Sequence, residues 1–141
     1  MDEREQTISR VCEEAVRRLA IALPDREVAF LIRRGDALIH LAHEGRLRLI
    51  YEVPRELGGV TWRAVESGTV QVVPDVAADP DYVASDDSIR SEIAVPVRAG
   101  GAIVGALDVE STSAIEADDA EIVAREGERL GRELDAIYSP S

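Results

Sequence analysis

Apolar and polar residues alternate along residues 89–111, and two glycines interrupt the alternation near its middle. Alternation with a period of two is typical of a β-strand, whose side chains point to opposite faces in turn. The segment therefore predicts a hairpin with one apolar face and one face that carries acidic side chains. The apolar positions are Ile93, Val95, Val97, Ile103, Leu107 and Val109, and the acids of the other face are Glu92, Asp108 and Glu110.

A three-residue turn, Ala99-Gly100-Gly101, sets the register of this predicted hairpin. It places Glu92 opposite Asp108 and Arg90 opposite Glu110. A slip by one residue would turn every side chain to the other face, and like charges directly opposite each other destabilise a strand pair. We therefore expect that one acid is protonated, that Arg90 neutralises the site, or that the acids bind a cationic or hydrogen-bond-donating ligand.

Amphipathic helices are predicted at both ends of the chain, over residues 3–22 and 118–137. Apolar residues recur at spacings of three and four, which places them along one helix face, and Pro24 ends the first helix. Each apolar seam can cover the chain's own sheet or pack against a second subunit, and we expect a homodimer through these helices. The seams are Ile8, Cys12, Ala15, Leu19 and Leu23, and Val123, Gly127, Leu130, Leu134 and Ile137.

Three more strands, a short helix and a long loop are predicted between the terminal helices. Residues 27–34 are apolar on both faces, as in a central strand, and Gly68 is expected to end the short helix in a left-handed conformation. Residues 74–89 form a connection of unusual length, which makes them a candidate lid. The predicted strands are 27–34, 37–43, 69–73, 91–98 and 102–110, and the short helix is 58–67.

These elements predict a single α+β domain over residues 1–141. Its architecture is an α/β sandwich with a central antiparallel sheet of five to six strands. The terminal helices lie on one face, and the short helix and the long loop lie on the other. Such an arrangement leaves a pocket under the loop.

Composition limits the partners of the protein. The chain has 28 acidic and 16 basic residues, a net charge of −12, which argues against nucleic acid and anionic membranes as partners. No apolar run is long enough to span a bilayer, and the charged start does not resemble a signal peptide, so we expect a cytoplasmic protein. All basic residues are arginine and there is no asparagine. A GC-rich genome or a salt-loving host would each explain this bias.

Several segments, in their order along the chain, resemble the signatures of a GAF domain. The resemblance implies a six-stranded antiparallel sheet, a small-molecule pocket under the long loop, dimerising terminal helices and a sensory role in signalling proteins. The segments are Gly58-Gly59-Val60, Ala64-Val65, Gly68, Pro74-Asp75-Val76, Asp79-Pro80-Asp81-Tyr82-Val83, Arg90-Ser91-Glu92-Ile93-Ala94-Val95-Pro96-Val97 and Gly105-Ala106-Leu107-Asp108-Val109-Glu110-Ser111.

Within this superfamily the chain is most similar to the free methionine-(R)-sulfoxide reductase branch, through its Ser-Glu-Ile and Leu-Asp-Val-Glu-Ser elements. The resemblance implies that the acids hold the substrate while a cysteine reduces the sulfoxide. The cysteine positions of that branch fall on Thr61 and Ser85, so both thiols are missing. Sulfoxide reduction needs a thiolate that is oxidised and then resolved by another thiol. The only cysteine, Cys12, is predicted in the core, so we expect the pocket without the reaction; a divergent enzyme is the alternative.

Other ligands of the superfamily fit this chain less well. Cyclic-nucleotide-binding members carry an Asn-Lys-Phe-Asp-Glu signature, and the chain contains neither asparagine nor lysine. Bilin-binding members need a pocket cysteine, and a haem site would need His40 or His43, of which at most one can point inward from a strand. Three clustered carboxylates suit a hard metal cation, which stays an alternative. The loop does not match an EF-hand, and a serine nucleophile would lack a base.

The sequence therefore predicts a non-enzymatic sensor domain that binds a small polar molecule, amine-bearing or hydrogen-bond-donating. We assign no catalytic residue, cofactor or metal to it, and expect no nucleic-acid or membrane partner. A downstream signalling protein or an output domain would receive the signal. A scaffold with a cavity filled by its own side chains is a further alternative. The predicted ligand-binding residues are Glu92, Asp108, Glu110, Ser91, Tyr82, Ser85 and Trp62.

Overall fold

The structure, a computed structural model, describes residues 2–47, 51–84, 86–116 and 118–138. Over these residues the chain forms a six-stranded antiparallel sheet in the order β3-β2-β1-β6-β5-β4. This confirms the α+β architecture. The strands are β1 (Glu27–Arg34), β2 (Ala37–Glu44), β3 (Glu52–Pro54), β4 (Gln71–Val73), β5 (Ser91–Ala99) and β6 (Ala102–Ser111).

Three helices accompany the sheet in the described part of the chain: α1 (Glu3–Ala22), α2 (Val60–Ser67) and α3 (Asp119–Tyr138). Two short 3-10 turns, Arg55–Leu57 and Val76–Ala78, lie in the connections. β3 was not predicted as a separate strand, because three residues are too few to show alternation. No helix of the described chain is both long and apolar enough to cross a membrane.

The β5–β6 hairpin differs in register from the prediction. Glu92 pairs with Glu110, and Ala94 pairs with Asp108, so Asp108 lies diagonally from Glu92 rather than opposite it. The predicted pairing of Arg90 with Glu110 is also wrong, since the backbone N–H of Arg90 donates to Ser111 and its side chain is exposed. The acids nevertheless share one face, because the true register differs from the predicted one by two residues.

The physical reason is a tighter turn combined with a β-bulge. Ala99 pairs with Ala102 across a two-residue turn, and the pairing shifts by one residue where Arg98 pairs with Ile103 and Val97 with Gly105. One residue of β6 is therefore left unpaired, and the alternation reverses beyond it. As a result Ile103 packs on the α2 side of the sheet rather than with the other apolar residues of the hairpin.

α1 and α3 cover one face of the sheet, and both predicted seams pack against that face. Gly127 and Gly131 let α3 approach β5 closely: a Cβ atom at Gly131 would lie 2.5 Å from the carbonyl oxygen of Arg98. Arg18 joins the helices through a two-pronged ion pair with Glu126 at 2.9 Å. The buried core on this side is Ile8, Cys12, Ala15, Val16, Leu19, Leu23, Val28, Phe30, Ile32, Ala42, Ile93, Val95, Val97, Ala99, Leu107, Val109, Val123, Leu130 and Leu134.

α2 covers part of the opposite face. It begins at Val60 rather than at the predicted residue 58, because Gly58 and Gly59 have positive φ values of 72° and 106°. It ends at Gly68 in the left-handed conformation, as predicted. The apolar residues here form two small clusters rather than one large core: Ala29, Leu31, Leu38, Val53, Trp62, Val65 and Ala106, and Val60, Ala64, Val73, Val76, Ile89 and Ala94.

Candidate functional site

The carboxylates of Glu92, Asp108 and Glu110 converge on the α2 side of the sheet. Glu92 and Glu110 are direct cross-strand neighbours, and Asp108 is two residues before Glu110 on the same face of β6. One oxygen atom from each residue lies within 4.8 Å of the other two. Glu92 and Asp108 are buried, with exposed fractions of 5% and 4%, whereas Glu110 is half-buried. The sequence thus predicted the cluster correctly although its register differs.

Burial dominates the electrostatics of this cluster. It raises the pKa of Glu92 to about 7, with a further increase from the charge of Glu110, although a hydrogen bond from Asp108 acts in the opposite direction. The pKa of Asp108 lies well above its usual range because of burial and the neighbouring negative charges. Burial and mutual repulsion therefore favour a proton held within the Glu92–Asp108 pair.

The cluster borders a small, partly open cavity of about 40 Å³. This volume accommodates a few water molecules, whereas most small-molecule pockets enclose several hundred Å³. The walls come from β1, β2 and β3, from the start of α2 and from the long loop. The lining residues are Leu31, His40, Val53, Gly58, Gly59, Val60, Thr61, Val83, Glu92, Asp108 and Glu110.

Two residues named from the sequence, His40 and Thr61, line the cavity. His40 faces the cavity, while His43 lies 3.0 Å from Glu27 through its Nε2 atom; this agrees with the expectation that at most one of the two points inward. Thr61 also lines the cavity. Thr61 stands at a position where the free methionine-(R)-sulfoxide reductase branch has a cysteine. The family resemblance was therefore the signal that could have identified Thr61 as a pocket residue.

Two predicted ligand-binding residues lie away from the cavity. Ser91 is buried, but as an odd-numbered residue of β5 it points to the opposite face from Glu92, and its hydroxyl donates to the carbonyl of Ser113 at 2.6 Å. Trp62 packs in the core beneath α2, where its Nε1 atom donates to Val53 at 2.8 Å. The structure therefore gives both residues supporting roles.

The two predicted loop residues have different outcomes. Tyr82 packs against the apolar cluster around Val60 and Val73, and it borders a shallow outer cleft rather than the acidic cavity. Its neighbour Val83 contributes the wall of the cavity instead. Ser85 lies outside the described residues.

Arg63 of α2 holds the long loop in place. Its guanidinium donates two hydrogen bonds to Asp79, at 2.9 and 2.7 Å, and a third to Asp81 at 3.0 Å. A fourth, at 2.8 Å, goes to Gln71 of β4. The Arg63 guanidinium lowers the pKa of Asp79, which stays ionised. The segment 79–83, which ends at the cavity wall, is therefore tied to α2 by charge.

The beginning of the loop is also anchored. The carboxylate of Asp75 accepts a hydrogen bond from the backbone of Ala77 at 3.1 Å, as expected of a residue that fixes a turn. The N–H of Val76 donates to the carbonyl of Arg90 at 2.9 Å, which joins the loop to the sheet. Movement of the lid would therefore involve the residues after this turn.

This fold is that of a GAF domain. The family model of the GAF domain matches residues 7–134. The chain therefore belongs to the GAF domain family, as its sequence motifs indicated.

Individual known proteins extend the comparison. Protein YtsP of Bacillus subtilis is 43% identical over 53 residues, which are 38% of this chain and 32% of YtsP. The matched regions cover less than half the length of the curated relatives. The free methionine-R-sulfoxide reductase of Neisseria meningitidis, solved with its substrate, is 26% identical with a TM-score of 0.82 and coverage of 98% of this chain and 89% of that chain. The type II enzyme of Thermoplasma acidophilum is 24% identical with a TM-score of 0.83, at 96% and 97% coverage.

Proposed function

We propose that this GAF domain is a sensory module that binds a small polar molecule through Glu92, Asp108 and Glu110. The observation that carries the proposal is the convergence of two buried carboxylates and a half-buried third on one cavity. Buried acids are costly unless a partner neutralises them. A ligand with an ammonium group or several hydrogen-bond donors would supply that partner.

The chain supplies no thiol for reductase chemistry in this cavity. Cys12 is its only cysteine, and it is buried in the core beneath α1 on the other side of the sheet. Burial raises the pKa of its thiol to about 12, so it is not a nucleophile at neutral pH. The replacement of thiols by Thr61 and Ser85 therefore favours binding without turnover.

A ligand larger than a few atoms needs the cavity to open. The start of α2 and Val83 of the loop form its outer wall, and Arg63 joins these two elements. Ligand binding would shift the balance between closed and open arrangements only through its different affinity for the two. We propose that this difference is the primary signal.

The terminal helices are the proposed route of the signal. They pack on the other face of β5 and β6, directly behind the strands that carry the acids. We propose that the protein is a cytoplasmic homodimer whose subunits contact through these helices, and that a downstream protein or output domain reads their arrangement. Because the apolar seams cover the sheet, a dimer would use the remaining faces of α1 and α3.

A ligand screen tests the proposal. Native mass spectrometry of the purified protein, followed by a thermal-shift screen of amino acids, 2-oxo acids and nucleotides, should identify a stabilising compound. The shift should disappear in Asp108→Asn and persist in Glu66→Gln, which removes an exposed acid of α2. No compound in the screen, or an equal shift in both variants, would contradict the proposed site.

The reductase-like enzyme is the second candidate, favoured by the structural similarity to the two sulfoxide reductases. Incubation of the protein with free methionine-(R)-sulfoxide and a thiol reductant separates the candidates. Formation of methionine above the rate of a protein-free control would establish an enzyme. Binding without product formation would support the sensor.

A further inference from the structure

The geometry of the acid cluster is suitable for a metal ion as well as for an organic cation. Three oxygen atoms no more than 4.8 Å apart have a common point within about 2.8 Å of each. Calcium–oxygen distances in proteins are 2.3–2.6 Å, and those of smaller divalent cations are shorter. A shift of a few tenths of an ångström in each flexible side chain would complete the coordination.

Asp108 supplies an independent indication of an occupant. Its Oδ1 atom is buried and has no hydrogen-bond partner among the residues that the structure describes. The residue as a whole is only 4% exposed. A buried carboxylate oxygen without a partner costs free energy, and a coordinated cation would remove that cost.

Among the described residues, Arg63 of α2 is near enough to act electrostatically on Glu92, but its guanidinium is bound to Asp79 and Asp81 and does not line the cavity. No arginine is among the described residues that line the cavity, and the chain has no lysine. His40 from β2 also lines the cavity but lies outside the group of three acids whose oxygen atoms are within 4.8 Å of one another, so its side chain would have to move to add a nitrogen ligand. A volume of about 40 Å³ also suits an ion with one or two water molecules, without any opening of the lid.

We propose that Glu92, Asp108 and Glu110 bind a divalent metal ion in this cavity, with His40 as an additional ligand once its side chain moves toward the ion. Three carboxylates favour a hard cation such as Mn²⁺. Mg²⁺ should bind more weakly, because it dehydrates reluctantly and demands shorter, regular coordination. The metal site and the proposed sensory function both place a positive charge among these acids, and they have no other assumption in common.

Titration of the purified protein with Mn²⁺ tests the proposal. The protein is prepared without a metal-affinity tag and treated with EDTA, which is then removed, and free Mn²⁺ is measured by its electron paramagnetic resonance signal. We expect one equivalent to bind with a Kd of roughly 10⁻⁶–10⁻⁵ M. Mg²⁺ should compete poorly for the same site.

Matched variants assign the ligands. Asp108→Asn and Glu92→Gln keep the side-chain size and should each weaken Mn²⁺ binding by about tenfold or more, and His40→Gln should weaken it too. Glu66→Gln removes one exposed charge and should leave the affinity unchanged. Circular dichroism checks that each variant is folded. If one of the two acid variants does not fold, the other still tests the proposal.

Two results would overturn the proposal: no stoichiometric binding at Mn²⁺ concentrations up to roughly 1 mM, or unchanged binding in folded Asp108→Asn or Glu92→Gln. Unchanged affinity in His40→Gln would remove His40 from the ligand set. The ligand screen, repeated with and without Mn²⁺, separates this proposal from the previous one. A stabilising organic compound without Mn²⁺ binding supports the sensor alone, and the reverse supports the metal site alone.

Discussion

The two faces of the sheet are built in different ways. On the α1 and α3 side, one continuous apolar core contains the long branched and aromatic residues, and α3 approaches β5 closely at Gly127 and Gly131. On the α2 side, the apolar residues are divided into two small clusters, and buried acids and an internal cavity lie beside them.

This difference separates the source of stability from the source of function. Apolar burial contributes about 25 cal/mol per Å² and favours the continuous core, whereas buried carboxylates reduce the free energy of unfolding unless they gain a partner. The helix side can therefore stabilise the fold while the acid side keeps unsatisfied groups for a ligand. Functional sites commonly depart from the rules of stable packing in this way.

The largest expected effect comes from truncation in the continuous core. Leu130→Ala should lower the free energy of unfolding by about 3–5 kcal/mol, because Leu130 is fully buried in a tightly packed region that cannot collapse around the gap. Leu31→Ala should cost about 2–3 kcal/mol, since Leu31 already borders the polar cavity and water can fill the added space. Urea denaturation measures both values. Equal losses would contradict the difference between the two faces.

The second prediction is a substitution that raises the free energy of unfolding, by an amount that depends on pH. Glu92 has a pKa of about 7 in the folded protein against 4.5 for an unperturbed side chain. The folded state therefore binds more protons at Glu92 between these values, so the contribution of Glu92 to stability should be greatest below about pH 4.5 and be lost as pH rises to about 7. In EDTA-containing buffer at pH 8, Glu92→Gln should stabilise the protein by an amount on the order of 3 kcal/mol or less.

Comparison with an exposed acid separates the effect of burial on stability from the effect of net charge. Glu66→Gln removes the same charge from a solvent-exposed position and should leave the pH dependence of stability unchanged. Glu92→Gln should reduce that dependence. If both variants behaved like the wild type between pH 5 and pH 8, the acid cluster would carry no electrostatic cost, and the need for a cationic ligand would lose its basis.

The same contrast explains which parts of the structure were predictable. The helix face consists of regular elements with strong periodicity, so the seams through Cys12 and Leu130 and the ends of β1 were evident in the sequence. The face assignment of the acids was also predictable, because alternation requires only the correct parity. The bulge in β6 was not, because one unpaired residue leaves no separate mark in the hydrophobic pattern.

Predictions of individual site residues were weaker for a related reason. Ser91 was assigned to the pocket through the Ser-Glu-Ile element, yet adjacent strand residues point to opposite faces. Trp62 was predicted either as a pocket wall or as core packing between α2 and the sheet, and the structure shows the core packing. The sequence indicated that at most one of His40 and His43 could point into the pocket. Only their observed places on β2 showed that this residue is His40. The residues that line the cavity come from six helices and strands and from the connections between them, and their convergence depends on tertiary packing.

A smaller effect is expected at the edge of the acid side, where Arg63 holds the loop. Arg63→Ala should lower stability by about 1 kcal/mol, because the ion pairs are partly exposed. The more specific result is local: amide hydrogen exchange should accelerate within residues 79–83 and remain unchanged in α1. Arg125→Ala, which removes a comparable but exposed pair with Glu121, is the control. Unchanged exchange in 79–83 would mean that the loop is held by its apolar contacts alone.

The smallest effect concerns the polar rim of the α2 clusters. The guanidinium groups of Arg55 and Arg33 lie 5.1 and 5.6 Å from the centre of the Trp62 ring. Arg55→Ala should cost about 0.5–1 kcal/mol, since Arg55 is partly exposed. Because Trp62 is the only tryptophan, its fluorescence reports this change directly. If Arg55→Ala alters the Trp62 emission and leaves the Mn²⁺ affinity unchanged, Trp62 stabilises the packing of α2 only. A changed Mn²⁺ affinity in this variant would show that the polar rim and the acidic cavity are coupled.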